Sequence, residues 1–216
     1  MALKYQTGKR TYFGEPASQY KQLLPDGSLE TAPFLTAASL IPPLFDILGP
    51  TVFLMIKKDI QGNIDKLNAK YMTNPELFTT INAILEEEFE TKSSTNGQVG
   101  ALWLKRGLAF IQEFLMLVLE GGKQDRSENI QQYLLKAYEK DLKQHHSWVL
   151  RQIIMQLTKA CPTRTTFIDQ LKMDKEASDE EVYNDLQTHL ELMKPNVEQL
   201  DKILREFKVE TTEPLS

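Results

Sequence analysis

The sequence predicts an all-α protein, and three observations carry that prediction. Apolar residues recur every three or four positions through most of the chain, the period of a helix with one buried face. Residues that start and stop helices punctuate those stretches: Gly49-Pro50, Asn74-Pro75, Gly121-Gly122, and Ser178 with Glu181. No pair of alternating runs joined by a tight turn reads as two strands. The 216 residues, 41% hydrophobic and 25% charged, fit one large globular domain. A net charge of −5 supplies no basic field for nucleic acid or for an acidic membrane surface. The lone Cys161 cannot close an internal disulfide, which suits a reducing compartment. No apolar run approaches the ~18 residues of a spanning helix. The N-terminus, MALKYQTGKRTYFGEP, is basic but lacks the apolar segment of a secretory signal. A cytoplasmic protein is expected.

Residues 1–31 are polar, with early glycine and proline, and read as an irregular N-terminal arm. The periodic pattern starts at Ala32. PFLTAASLIPPLFDIL reads as one mostly buried helix disturbed at Pro42-Pro43 and ended by Gly49-Pro50. The next helix spans 53–70. Asn74 as N-cap and Pro75 at the first helical position predict another helix, reaching about Glu90, with Leu77, Phe78, Ile81, Ile84 and Leu85 inside. The run Glu86-Glu87-Glu88 is expected to be a solvated face. A loop over 92–97 leads to a long helix over 98–120, closed by Gly121-Gly122. It has two apolar seams, one through Val99, Trp103, Phe110 and Phe114 and one through Leu104, Leu108, Ile111 and Leu115, and should be central. Ser127 can cap a helix carrying Ile130, Leu134, Ala137, Tyr138 and Leu142, which leads into HHSWVLRQIIMQL and ends near Cys161-Pro162. A short helix around 165–171 follows. A capping box at Ser178 and Glu181 opens the last long helix, which Pro195 should kink or restart.

The helix over 53–70 carries two stripes. Phe53, Ile56, Ile60, Ile64 and Leu67 make the apolar one. Asp59, Asn63, Lys66 and Lys70 recur at the same spacing about a quarter turn away, at 100° per residue. Acceptor, mixed donor–acceptor and donor thus line the edge of a buried face. Spacing alone leaves two readings: an ordinary solvated edge, or a grip for a small uncharged group rich in hydroxyls. Trp103 likewise reads either as core or as an aromatic plate, since Gly107, one turn on, leaves space beside the indole. His145 and His146, adjacent on a helix, would point about 100° apart and could not share a metal as an i, i+4 pair does. Nucleophile elbow, P-loop, dinucleotide fingerprint, H-E-x-x-H and C-x-x-C are all absent, so neither enzyme chemistry nor a cofactor is expected.

KKDIQGNIDKL, ALWLKRGLAFI and HHSW, in that order and spacing, resemble the glycolipid transfer protein family. LIPPLFDILGPTVF, TNPELF and KAYE extend the match to residues 32–209, leaving the arm over 1–31 and a C-terminal tail over 210–216. The resemblance implies a two-layer helical sandwich of about eight helices around a compartment for ceramide chains, and a monomer that moves glycosphingolipids between membranes. It implies that Asp59 binds sugar hydroxyls and the ceramide amide N–H, that Asn63 and Lys66 bind sugar hydroxyls, and that the first sugar stacks on Trp103. His146 is the implied donor to the amide carbonyl, and Trp148 the implied contact with the bilayer; the residues alone also allow Trp148 to be a packing residue. The family's C-terminal tyrosine has its nearest counterpart in Phe207, which keeps a ring and lacks the hydroxyl. Phe45, Phe53, Ile56, Phe110, Phe114, Leu142, Ile154 and Phe167 are candidates for the compartment wall or for ordinary core. The superfamily's ceramide-1-phosphate branch resembles a pattern with Lys at position 63 and Arg at position 103. Asn63 and Trp103 favour sugar over phosphate, since a phosphate needs cations. A phosphate carrier, and a lipid sensor or trafficking adaptor without transfer, are the alternatives.

Overall fold

The computed structural model describes residues 9–16, 19–92, 94–124 and 127–211. The described residues form nine α-helices and no strand beyond two isolated bridges, Thr11 with Lys172 and Glu30 with Thr80. The helices are α1 (Thr31–Ala38), α2 (Ile41–Leu48), α3 (Leu54–Thr73), α4 (Ile81–Thr91), α5 (Asn96–Gln124), α6 (Gln131–Asp141), α7 (Trp148–Leu157), α8 (Arg164–Gln170) and α9 (Asp179–Glu206). Short 3₁₀ turns follow α6 and α7 at Lys143–His145 and Thr158–Ala160.

The two seams of α5 make it the centre. Leu104, Leu108, Ile111, Phe114, Leu115 and Val118 are all fully buried. The helix packs against α3, α4, α6 and α9. Its contact with α3 is close because glycines face it. A Cβ on Gly100 would stand 3.0 Å from both the Asn63 carbonyl oxygen and Lys66 Cβ, and one on Gly107 would stand 3.3 Å from Ile60 Cγ1. Later positions on α5 meet earlier ones on α3, so the two helices run antiparallel. Trp103 lies between the two glycines on that face.

Several boundaries differ from the pattern-based expectation. The stretch Thr31–Leu48 has a mean hydropathy of 1.4 over 18 residues, so an apolar run of spanning length does exist. It forms two eight-residue helices separated at Ser39-Leu40 and is largely buried, each helix only about 12 Å long. Pro42-Pro43 therefore opens α2 rather than disturbing one long helix. Asn74 closes a turn, accepting from Leu77 N at 3.2 Å, and α4 starts later, capped by Thr80; its Glu88, expected on a solvated face, is buried because it accepts from Gly97 N and Gln98 N at the start of α5, at 2.9 and 2.8 Å. Ser127 caps the turn before α6, accepting from Asn129 N at 3.3 Å. Gly121 and Gly122 do not end α5; they make room for the rings of Tyr133 and Tyr183, whose Cζ atoms would lie 2.6 and 2.7 Å from added Cβ atoms. Pro195 stays inside a continuous α9, because Leu190, Met193, Val197 and Leu200 hold one buried seam across it. Packing outweighs the local cost of about 3 kcal/mol.

The described part of the N-terminal arm is packed, though not helical. Phe13, Tyr20 and Leu29 belong to the core. Tyr12 N donates to Leu171 O at 2.8 Å, and Thr11 Oγ1 donates to Asp185 Oδ2 at 2.6 Å. Phe13 and Tyr20 also flank His189 of α9, with ring centroids 4.8 and 5.5 Å away. At the other end Glu210, expected to begin a tail, is buried. Both segments are held by partners far away in sequence, which local patterns do not display.

Candidate functional site

On α3 the polar stripe forms a hydrogen-bonded chain. Asn63 Nδ2 donates to the Asp59 carbonyl oxygen at 2.9 Å and approaches Asp59 Oδ2 at 3.5 Å. Lys66 Nζ donates to Asn63 Oδ1 at 3.3 Å. Asn63 is buried beneath Gly100, while Asp59 and Lys66 are exposed. The amide is thus oriented by its neighbours, with its nitrogen toward the carboxylate and its oxygen toward the ammonium. The stripe presents an acceptor and a donor to solvent a turn or two apart, over a fixed amide.

Trp103 brings the opposite wall. Its indole is half-buried, and Arg106 Cζ lies over the ring at 4.9 Å. His146 lies nearly parallel to it, with centroids 6.3 Å apart and planes 17° from each other, while His145 meets it edge-on at 6.3 Å. Both imidazoles therefore gather at one tryptophan. The expectation that they diverge on a helix fails because the chain leaves α6 at Leu142. It turns through Lys143–His145, and His146 is extended, with φ −106° and ψ 141°. Ser147 then caps α7, accepting from Leu150 N at 3.4 Å.

The surroundings of His146 favour its neutral form. Its Nδ1 is 3.1 Å from the Tyr138 hydroxyl, and its carbonyl accepts from Arg151 Nε at 2.9 Å. Burial lowers its pKa below the usual imidazole value; Asp59 opposes this, and Arg151 and Arg106 add to it. The ring is neutral at pH 7. In the tautomer in which the tyrosine donates to Nδ1, Nε2 carries the proton and is a donor. That Asp59 acts on His146 at all brings α3 and the α6–α7 link to one locality. Tyr138, whose hydroxyl meets the His146 ring, reads in the sequence only as an apolar position; its eight-residue separation from His146 gives no signal without the turn.

Phe207 has a ring partner on α4. It follows α9 directly, and its ring faces Phe89 of α4 with centroids 5.8 Å apart. Among the described residues Glu210 reaches the Trp103 neighbourhood through Arg106, a contact with no local signal in the sequence. The wall candidates all belong to or pack against one apolar cluster. Phe45, Phe53, Phe110, Phe114, Ile154 and Phe167 are buried, and Ile56 and Leu142 are partly so. The cluster reaches the polar stripe directly, since Ile60 and Ile64 flank Asn63 on the buried side of α3. Trp148, at the first position of α7, is 71% exposed, and Val149, Ile153 and Met155 beside it are exposed too. Ile154 is the buried residue of that helix.

One buried carboxyl near this site gives a pH-dependent prediction. Asp141, on α6, is pushed up to about 6, chiefly by burial, and its Oδ2 has no partner among the described residues. A carboxyl raised in the folded state binds its proton more tightly there than when unfolded, so its ionised form costs stability above pH 6. Asp141→Asn should raise stability at pH 8 by about 1–2 kcal/mol, after allowing for partial screening by solvent. The gain should vanish as the pH falls from 6 toward 4, where the wild-type carboxyl is itself neutral. Urea titrations of both proteins at pH 4.5 and 8 measure the difference, and equal gains at the two values would refute the assignment.

The family model described as glycolipid transfer protein matches residues 29–173. A glycolipid transfer protein of Danio rerio is 44% identical over 168 residues, covering 76% of this chain and 80% of that protein. The pleckstrin homology domain-containing family A member 8 of Rattus norvegicus is 36% identical over 200 residues, 89% of this chain. This chain spans only 38% of the length of that relative. Among solved structures, FAPP2, which selects simple glycosphingolipids using this type of fold, superposes with a TM-score of 0.83 at 34% identity. That match covers 95% of this chain and 100% of the other.

Proposed function

Because the chain belongs to the glycolipid transfer protein family, we propose that it carries glycosphingolipids between membranes without altering them chemically. One observation supports this above the others. A half-buried indole, a hydrogen-bonded Asp59–Asn63–Lys66 stripe and the neutral ring of His146 converge where the apolar core reaches the surface.

A sugar ring has an apolar C–H face that packs on an aromatic plate and hydroxyls that need donors and acceptors in its plane. Trp103 serves as the plate. Asp59, Asn63 and Lys66 serve the hydroxyls. Asp59 accepts from the ceramide amide N–H, and His146 Nε2–H donates to its carbonyl, so the amide is bracketed at both ends. Phe207, whose ring packs on Phe89, completes the candidate headgroup set with a ring that lacks a hydroxyl. The chains enter among Phe45, Phe53, Ile56, Phe110, Phe114, Leu142, Ile154 and Phe167. At ~0.8 kcal/mol per buried methylene, a dozen methylenes contribute on the order of 10 kcal/mol, so the chains supply most of the affinity and the headgroup the choice. Trp148, Val149, Ile153 and Met155 touch the bilayer while the lipid enters or leaves, since an indole suits an interface. Without such a carrier the chains would cross water at the full hydrophobic cost.

The phosphate reading has a specific feature to answer, the cations Lys66 and Arg106. Lys66 is engaged with Asn63, and both Nε and Nη2 of Arg106 are engaged with Glu210. The sugar reading is the better supported. The test is transfer of galactosylceramide between phosphatidylcholine vesicles, with mass spectrometry of the lipid before and after. Transfer of unchanged lipid is expected. No transfer, or a hydrolysed or modified lipid, overturns the proposal.

A further inference from the structure

Behind Trp103 lies a buried ionic cluster that the lipid-carrying scheme does not use. Lys105 Nζ stands 2.8 Å from Asp201 Oδ1 and 2.8 Å from Glu210 Oε2, with all three side chains almost wholly buried. Asp201 also accepts from Arg205 Nε at 2.7 Å. Arg106, next along α5, gives Nε to Glu210 Oε2 at 3.2 Å and Nη2 to Glu210 Oε1 at 3.1 Å. This fork holds the guanidinium that lies over the indole of Trp103.

The backbone delivers Glu210 to this place deliberately. Lys208 takes a left-handed conformation, φ 58°, and reverses the chain at the end of α9. The N–H groups of Val209 and Glu210 then both donate to the Leu204 carbonyl, at 2.8 and 3.1 Å. The carboxylate is thereby driven under α5, 104 residues away in sequence from Arg106.

A guanidinium fork pairs in the same bidentate way with a carboxylate or a phosphate. While Glu210 fills the fork, a phosphate has to displace a buried internal partner. Without Glu210, Lys105 and Arg205 keep Asp201, and the Nε and Nη2 of Arg106 lose the carboxylate that binds them beside the plate. Lys105 keeps Asp201, so the loss does not strand it.

We propose that Glu210 is a positioning residue that sets headgroup choice: it binds Arg106 against Trp103 and withholds the guanidinium from the ligand, so that a neutral sugar is taken in preference to a phosphate monoester. This rests on the glycosphingolipid reading above.

The test compares vesicle transfer of galactosylceramide and of ceramide-1-phosphate with the same acyl chain. Glu210→Gln should raise the phosphate-to-sugar rate ratio at least tenfold over wild type. The double variant Glu210→Gln/Arg106→Gln should return the ratio to within about threefold of wild type, which general loosening of the C-terminal turn would not do. Glu210→Asp, which keeps the charge, should leave the ratio near wild type and serves as the deciding variant if Glu210→Gln does not fold. Its expected lack of effect then has to be matched by a tenfold rise in Glu210→Ser. A wild-type chain that moves sugar lipid faster, with a ratio unmoved by loss of the carboxylate, overturns this inference and leaves the carrier reading standing. A raised ratio that persists in the double variant also overturns it. A wild-type chain that already prefers ceramide-1-phosphate overturns both.

Discussion

Trp103→Ala should slow galactosylceramide transfer by about two orders of magnitude while far-UV circular dichroism stays that of the wild type. In the proposed site the indole is the plate for the first sugar, and Arg106 and both histidines are arranged on it. Truncating an aromatic anchor of this kind typically costs 2–4 kcal/mol of binding, and each 1.4 kcal/mol is tenfold. The fold should survive because Trp103 is only half-buried; its neighbours Leu104 and Leu108 carry the α5 core. Asp59→Val should show a loss of similar size by a different route. It removes the exposed acceptor and leaves the Asn63 amide, which also bonds the Asp59 backbone, in place. Trp103→Phe should recover part of the rate, since a smaller ring still offers a flat face. Full transfer by Trp103→Ala would remove the basis of the headgroup assignment.

The second large effect is on stability, at the strap between the N-terminal segment and α9. His189 is completely buried between Phe13 and Tyr20, with Nδ1 3.1 Å from Gln19 Oε1. Burial lowers its pKa to about 4. The unfolded imidazole takes a proton near 6.5, so between pH 6.5 and 4 the unfolded state binds more protons than the native one. Stability from this group is therefore full above pH 6.5 and is lost as the pH falls toward 4, by about 3 kcal/mol at 1.36 kcal/mol per pKa unit. His189→Phe keeps a ring of similar size and removes the titration. Denaturant titrations from pH 4 to 7 should show the variant gaining on the wild type by about that amount as the solution is acidified. A pH-independent difference would refute the mechanism. The opposite sign at Asp141, whose neutralisation below pH 6 relieves a cost, lets the two groups be told apart in the same experiment.

Much of this could be read from neighbouring residues. The all-α class, the two seams of α5, the two stripes of α3 and the capping box of α9 are all written within one or two helical turns. The structure forms the Ser178–Glu181 box with both of its bonds. The site residues on α3 were visible for the same reason, because helical periodicity alone puts Asp59, Asn63 and Lys66 on one edge. His146 was visible as a residue but not as a geometry, since its direction depends on a break after Leu142 that Ser147 enforces.

Other features needed the folded chain. Whether Phe13 and Tyr20 lie in an arm or in a core depends on His189 and Phe34, far along the sequence. Whether Gly121 and Gly122 stop a helix or admit tyrosines depends on Tyr133 and Tyr183 arriving opposite them. Whether Arg106 is free for a ligand depends on Glu210. Periodicity and capping are local interactions and leave their mark on local sequence. Ion pairs, ring contacts and close helix approaches are made between residues that only the complete packing brings within reach, so their partners are unnamed until the chain has folded.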